Sequence, residues 1–420
     1  MKRTLLFAAF LVLFASSAFA ANAQPVALYT FICTGNQLFR NGPCPQGGRP
    51  DSLIQGSDGN FYGAAQDSME GSSSPTGGTV FSVTPTGKFT LLHTFSPGAS
   101  KTYPNGNLPG LLTEGPDGKL YGDTLYGGNG GCNGYCGYGL LYRVNRDGTG
   151  FKIIHKFCSE ANCADGLDGY AALVLGTDGN LYGTTYYGGT GNCSPYGGCG
   201  TIFRVTPSTG AYEVVYNFNF ATTGENPSGL ILAPDGTFYG STASSLGELL
   251  FHYTEATGTL TTAVVNFPLI NGLPARGSES LFGTNGNLYG IYGIYGTSGL
   301  GIFEVQTDGS NLQLFPFYTT QDGGGQPDGL ILASDGNFWM ADITGDTGSG
   351  NIITISPTDG TLIQTLTPFG ESAPVGAYPM ELIQAKDGTL WGSTDSFGKA
   401  TKGHFGDGTV FSLNVGLPPR

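Results

Sequence analysis

The sequence predicts an all-β fold, a seven-bladed β-propeller closed by an N-terminal strand that completes the last blade. Three observations predict it. One motif recurs seven times, each copy is accompanied by four strand-like runs, and the last copy lacks one strand that the N-terminus can supply. The copies begin at Asp58, Asp117, Asp178, Asp235, Asn285, Asp335 and Asp387, so successive starts differ by 59, 61, 57, 50, 50 and 52 residues. A period of this size marks a repeat architecture, and four antiparallel strands per period is the unit of a propeller blade.

The fullest copy is Asp178-Gly179-Asn180-Leu181-Tyr182-Gly183-Thr184-Thr185. Its Asp-Gly pair predicts a type I′ hairpin turn, in which both central residues need positive φ. The apolar-aromatic-Gly run that follows, as in Phe61-Tyr62-Gly63 or Leu390-Trp391-Gly392, reads as the second strand, with the Gly marking a close neighbouring backbone. A Gly-rich loop then leads to an alternating third strand, such as Thr79-Val80-Phe81-Ser82-Val83 or Ile202-Phe203-Arg204-Val205. Alternation of this kind is the period-2 signature of a half-buried strand. A short turn precedes a fourth strand ending in Phe, as in Leu91 to Phe95, Ile153 to Phe157 and Val214 to Phe218. The first strand of each blade is the apolar run before the turn, for example Leu173-Val174-Leu175 or Gly329-Leu330-Ile331-Leu332.

Blade 7 supplies Leu382-Ile383, Leu390-Trp391-Gly392 and Val410 to Leu413, and then the chain stops without a Phe-terminated strand. Val26-Ala27-Leu28-Tyr29-Thr30-Phe31 matches the missing piece. Pairing it with blade 7 closes the ring and removes a sheet edge.

Residues 1–20 carry a basic start, an apolar core and the small-x-small site Ala18-Phe19-Ala20, which together read as a secretory signal. A second possible cut follows Ala21-Asn22-Ala23. Residues 21–420 then form one domain, exported to the periplasm, the cell surface or the medium. With the signal removed, 15 basic residues face 31 acidic ones, a net charge of −16 that argues against nucleic acid as a partner. No membrane span is expected, and the domain is expected to be a monomer.

Eight Cys in an exported chain predict disulfides. Short separations favour four local pairs: Cys33–Cys44, Cys132–Cys136, Cys158–Cys163 and Cys193–Cys199. All lie in loops between blades or between second and third strands, which emerge on one face of a four-stranded meander. That face, the loop face, is elaborated; the opposite face holds the tight turns.

The run Asp-Gly-Asn-Leu-Tyr-Gly-Thr-Thr-x-x-Gly-Gly from Asp178, followed by Cys199-Gly-Thr-Ile-Phe-Arg-Val205 and Val214-Val-Tyr-Asn-Phe218, resembles the bacterial GloVer tandem repeat of choice-of-anchor proteins. The segment Phe157 to Gly166 is similar to its Cys-bearing variants. The resemblance spans nearly the whole mature chain and implies an exported, often surface-attached protein; it supplies no catalytic residues. This chain ends at Leu417-Pro418-Pro419-Arg420 without a sorting tail, which argues against anchoring by that route.

His93 and His155 share a repeat position with Tyr29, Tyr216, Val265 and Phe315, so packing on an outer strand is expected of both. His252 falls at the polar third-strand position shared with Ser82, Arg143, Arg204 and Glu304. His404 lies in the long blade 7 loop with Asp395, Lys399, Lys402 and Asp407, a set with acid-base potential but no motif spacing. The repeated Asp lacks the ligand ladder of a calcium loop, no helix follows the Gly-Gly runs, and the Cys pairs lack nearby His. No metal or cofactor is therefore expected.

Two function classes remain. The first is a non-catalytic binding propeller that recognises a glycan, an envelope polymer or a protein partner. Its expected contacts are Tyr126, Tyr135, Tyr138, Tyr186, Tyr187 and Tyr196, set among Gly, Asn and Ser in the loops of blades 2 and 3. The alternative is an exported polysaccharide or small-molecule lyase or hydrolase. It requires charged groups converging on the central channel, and the first strands, mostly Leu, Ile, Val and Gly, are not expected to provide them.

Overall fold

The structure is a computed structural model that describes residues 23–34, 44–66, 77–96, 103–128, 137–169, 172–193, 198–245, 247–270, 273–283, 285–294, 299–316, 327–343, 348–399 and 404–420. It holds seven antiparallel sheets in the arrangement of a seven-bladed β-propeller. Six of them are meanders of consecutive strands. The seventh runs in the order Val26–Thr34, His404–Leu413, Leu390–Ser396, Ala377–Gln384, so the N-terminal strand completes the last blade as expected. First strands of blades 1 and 2, of blades 3 to 7 in succession, and of blades 7 and 1 pack against each other, which closes the ring. At the junction of blades 2 and 3 the second strand Lys119–Tyr126 meets Leu167–Gly169. The described residues include one 3-10 turn, Ala161–Cys163, and no α-helix.

Each blade carries its own filler. The ring carbon Cζ of Phe81 lies 2.5 Å from where a Cβ on Gly63 would sit; Phe203 over Gly183, Phe251 over Gly240 and Phe411 over Gly392 repeat the arrangement. The repeated Gly therefore makes room chiefly for an aromatic ring of the facing strand. Blade 6 exchanges the volumes, pairing Met340 with Ile353. Between blades, mixed clusters form the core, as where Trp391 stacks on Phe61 at 3.5 Å beside Phe31, Leu53 and Val410.

Neighbouring blades are also latched by backbone. The N–H groups of Arg49, Leu108, Asn226 and Tyr378 donate to the carbonyls of Asp407, Gly77, Cys199 and Ser349 in the preceding blades, at 2.7, 2.8, 3.0 and 2.8 Å. The next residue is a Pro each time, and its Cδ rests on a Gly in or just before the preceding blade's third strand: Pro50 on Gly408, Pro109 on Gly78, Pro227 on Gly200 and Pro379 on Gly350. Those four Gly have φ between 98° and 102°, so both the space and the backbone conformation require glycine.

The outer strands form a second seam. Tyr29 stacks on Phe89, His93 on Phe151 and His155 on Tyr212, each pair bridging two blades with centroids 4.0, 3.6 and 3.7 Å apart. His93 and His155 are packing residues, as expected, and burial pushes the His93 imidazole down to about 4, so it is neutral at physiological pH.

The turn type differs from expectation. Gly59 has φ 83°, but Asp58 is not among the positive-φ residues, so the turn is not type I′. Gly59 N–H donates to Gly56 O and Gly56 N–H to Asn60 O, the pattern of a type I turn ending in a Gly bulge. The Asp side chain explains the preference. Asp58 accepts from the Asn60 N–H at 3.1 Å and from the Tyr62 hydroxyl at 2.7 Å, and Asp178 does the same with Asn180 and Tyr182, so the repeated Asp clamps its own hairpin.

Three disulfides are present as predicted: Cys33–Cys44, Cys158–Cys163 and Cys193–Cys199. Cys132 and Cys136 lie outside the described residues. The first bridge ties the end of the closing strand to the segment that leads into blade 1.

Candidate functional site

The loop face carries the variable chemistry. Blades 2, 3 and 7 share one loop design there. The second strand ends at Tyr126, Tyr187 or Ser396, and a parallel bridge, Gly127 to Gly137, Gly188 to Cys199 or Phe397 to Asp407, seals the base of the excursion. Tyr126 and Tyr187 occupy equivalent places in adjacent blades, since each carbonyl accepts a 2.9 Å bond from the Thr two residues earlier, Thr124 or Thr185. Both rings are half-buried. Tyr186 packs edge-on against Tyr187 at 4.8 Å, and Tyr138 is 39% exposed. Tyr135 and Tyr196 lie outside the described residues.

Beside these rings, the Cys158–Cys163 loop is fixed by Asp165. Its carboxylate, almost fully buried, accepts from His155 Nε2 at 2.8 Å, from the Ser159 hydroxyl at 2.6 Å and from the Ser159 and Glu160 N–H groups. Burial alone would raise this carboxyl, but the Ser159 and Glu160 bonds outweigh it and hold Asp165 below the usual carboxylate range. Desolvation holds the His155 imidazole below its ordinary value despite Asp165. Ser159 and His155 meet the same carboxylate, so the trio orders a loop; it is not the Ser-to-His relay of a hydrolase.

One expectation about charge needs correction. The first strands do bring charged groups to the loop-face end, because they begin several residues before the apolar runs visible in the sequence. Arg49 Nε donates to Asp395 Oδ1 at 2.6 Å across the junction of blades 1 and 7, and Gln66 Nε2 donates to Asp51 Oδ2 at 2.8 Å. Burial raises the Asp51 carboxyl against the pull of Gln66 and Arg49. On blade 3, burial pushes Asp168 up to about 6. The signal in the sequence was the x-Pro pair opening the first strands, as in Arg49-Pro50 and Leu108-Pro109. In blade 7, Asp395 goes to Arg49, while Asp407 is fully buried beside the Cys33–Cys44 bridge. Lys402 and the His404 side chain lie outside what is described. His252 meets Thr261 on the neighbouring strand.

Among the described residues, Cys33, Cys44 and Asp407 alone bring three potential metal-ligand atoms together. Both sulfurs are consumed in a disulfide, so the donor set does not fit a metal. A groove of about 500 Å³ on the flank of blade 7 is lined by Pro25, Val26, Pro368, Pro374 and Lys399 and holds no acid-base pair.

Asp123, on the second strand of blade 2, is a buried carboxyl outside these sets. It is 7% exposed, with Oδ1 2.6 Å from where a Gly110 Cβ would lie and Oδ2 3.2 Å from where a Gly169 Cβ would lie. Glycines on the flanking strands leave it room. Burial pushes it up to about 8. The folded pKa exceeds the unfolded value of about 3.9, so this group's contribution is most favourable below pH ~4 and falls as pH rises to about 8. Asp123→Asn is expected to stabilise the fold by at least about 1 kcal/mol at pH 9 and by much less at pH 4. Denaturation midpoints of both proteins across pH test this; an equal difference at both ends would contradict it.

The comparisons agree with this architecture. A model of the Gloeobacter/Verrucomicrobia repeat matches residues 49–301 and 193–411. The chain belongs to the Gloeobacter/Verrucomicrobia repeat family. No curated protein sequence matches this family member. Its fold is similar to an extracellular domain assigned to a hybrid two-component system of B. thetaiotaomicron (TM-score 0.55, 12% identity), covering 93% of this chain and 42% of that one. It is also similar to puromycin hydrolase (TM-score 0.52, 14% identity, 83% and 50% covered) and to a fungal alcohol oxidase of the AA5 family in complex with copper (TM-score 0.52, 12% identity, 89% and 74% covered). This repeat protein thus spans half or less of the first two, and at such identities the likeness concerns the fold alone. No described helix is long and apolar enough to cross a membrane.

Proposed function

We propose that this repeat protein is an exported, non-catalytic propeller that binds a carbohydrate or other envelope polymer on its loop face over blades 2 and 3. The observation that carries the reading is the placement of Tyr126 and Tyr187 at equivalent strand ends of adjacent blades, with the exposed Tyr138 nearby in sequence and with the blade 3 loop and the neighbouring inter-blade loop bridged by Cys193–Cys199 and Cys158–Cys163. Tyr rings on a stiff base offer flat apolar area with a polar tip at little entropic cost, which suits stacking on successive sugar rings. Extracellular use of the fold in the B. thetaiotaomicron domain is in keeping with export. The first of the two signal cuts, after Ala20, fits better, since Ala23 packs in the core with Trp339 and Leu417.

The test is a screen of the purified mature protein against soluble polysaccharides, with turnover followed in the same samples. Tyr126→Ala with Tyr187→Ala is expected to weaken binding at least about tenfold, a loss of ~1.4 kcal/mol or more, at an unchanged melting temperature. Full binding by the double variant would refute the site; product formation would favour an enzyme.

A further inference from the structure

We propose that the loop-face end of the first strand of blade 1 is a second binding site, in which Arg49 and Asp51 together hold two adjacent hydroxyls of a neutral sugar. It rests on the reading of the loop face as a binding surface, but uses none of the Tyr residues of blades 2 and 3.

The backbone supplies the first argument. Arg49, Leu108, Asp168, Asn226 and Tyr378 lie at or shortly before the start of the first strands of their blades, with φ between 52° and 61°. Four of the five donate the latch hydrogen bond to the preceding blade, which explains the conformation but not the side chain. Glycine adopts positive φ without strain, whereas other residues do not. Among the described residues 34 glycines have positive φ against ten others, and five of those ten fall at this one position. The chain therefore retains side chains around the ring where glycine would be easiest, which is expected of positions that read a ligand.

The second argument is what Arg49 and Asp51 leave unused. Arg49 commits Nε to Asp395, and its side chain remains 40% exposed with the two terminal nitrogens unengaged among the described residues. Asp51 commits Oδ2 to Gln66 and leaves Oδ1. Arg49 and Asp51 lie close enough for each charge to act on the other, and a donor fork beside an acceptor matches a vicinal diol, whose oxygens accept from the guanidinium while one hydroxyl donates to the carboxylate. Asp395 and Asp407 also act on Arg49, so the locality carries more negative than positive charge and disfavours an anionic ligand. A cation would meet Asp51 but be repelled by the guanidinium. Of these three, the neutral diol uses both.

The experiment is saturation-transfer NMR on the full mature protein with glucose, galactose and mannose, and with glucuronate and putrescine as charged probes. At least one hexose is expected to bind in competition with the other two and to outbind both charged probes. Arg49→Gly, which keeps a residue suited to positive φ, and Asp51→Asn are each expected to weaken that hexose about tenfold or more. Arg49→Gly should retain the wild-type circular dichroism spectrum and a cooperative melt, at a midpoint lowered by the lost bond to Asp395. No hexose signal in the wild type, retention of the signal in both variants, or preference for a charged probe would overturn the proposal. Tyr126→Ala with Tyr187→Ala should leave hexose binding here intact. Its loss of polysaccharide alone would support the Tyr site separately, and failure of the Tyr site with hexose binding retained would leave the Arg49 site standing.

Discussion

A protein lacking residues 21–32 is expected to lose at least about 5 kcal/mol of stability, or to fail to fold. This segment contains most of the strand that pairs with His404–Leu413 and supplies Phe31, which is completely buried against Phe81 and Phe89. Its removal empties that site, exposes the edge of the blade 7 sheet and strips the stacking partner from Phe89. It also separates the Cys33–Cys44 bridge from the pairing that it secures. Removing a fully buried Phe alone typically costs about 3–5 kcal/mol, before the lost strand pairing is counted. Chemical denaturation provides the measurement, and an unchanged midpoint would mean that the ring does not depend on this strand.

Gly408→Ala, an added methyl in the latch that closes the ring, should cost roughly 2–5 kcal/mol. Two effects add there. Gly408 has φ 98°, where a side chain is strained, and its added Cβ would clash, lying 2.3 Å from the Thr394 carbonyl oxygen and 2.5 Å from Pro50 Cδ, neither of which can swing aside. The clash falls on the junction of blades 7 and 1, where the Arg49 N–H to Asp407 carbonyl bond also holds. Gly210→Ala isolates the backbone part, because Gly210 has φ 74° but nothing within 4 Å of the added carbon. That variant should lose only about 1 kcal/mol. Equal losses at the two positions would remove Pro50 from the argument.

Much of this fold was legible because propeller signals are local. Each Asp-Gly turn, each aromatic-Gly strand and each alternating third strand lies within a few residues of its neighbours, and the repeats reinforce one another. The short Cys separations likewise predicted three pairs that formed. Turn type was misread because the Asp side chain competes for the backbone: Asp58 binds the Asn60 N–H and stays right-handed, leaving the positive φ to Gly59 alone.

The sequence by itself determined the blade count, the ring closure by Val26–Thr34, the local disulfides and the packing role of His93 and His155. Only the tertiary structure decided which charges meet. Arg49 and Asp395 are 346 residues apart in the chain and 2.6 Å apart in space, and no local pattern encodes that encounter. The same holds for Asp123, whose environment is made by glycines from two blades, and for Pro50 resting on Gly408. Hydrogen bonding and periodicity along a strand leave a record in neighbouring residues. Contacts across the seam of a closed ring are set by the path of the whole chain, and appear only once the ring is shut.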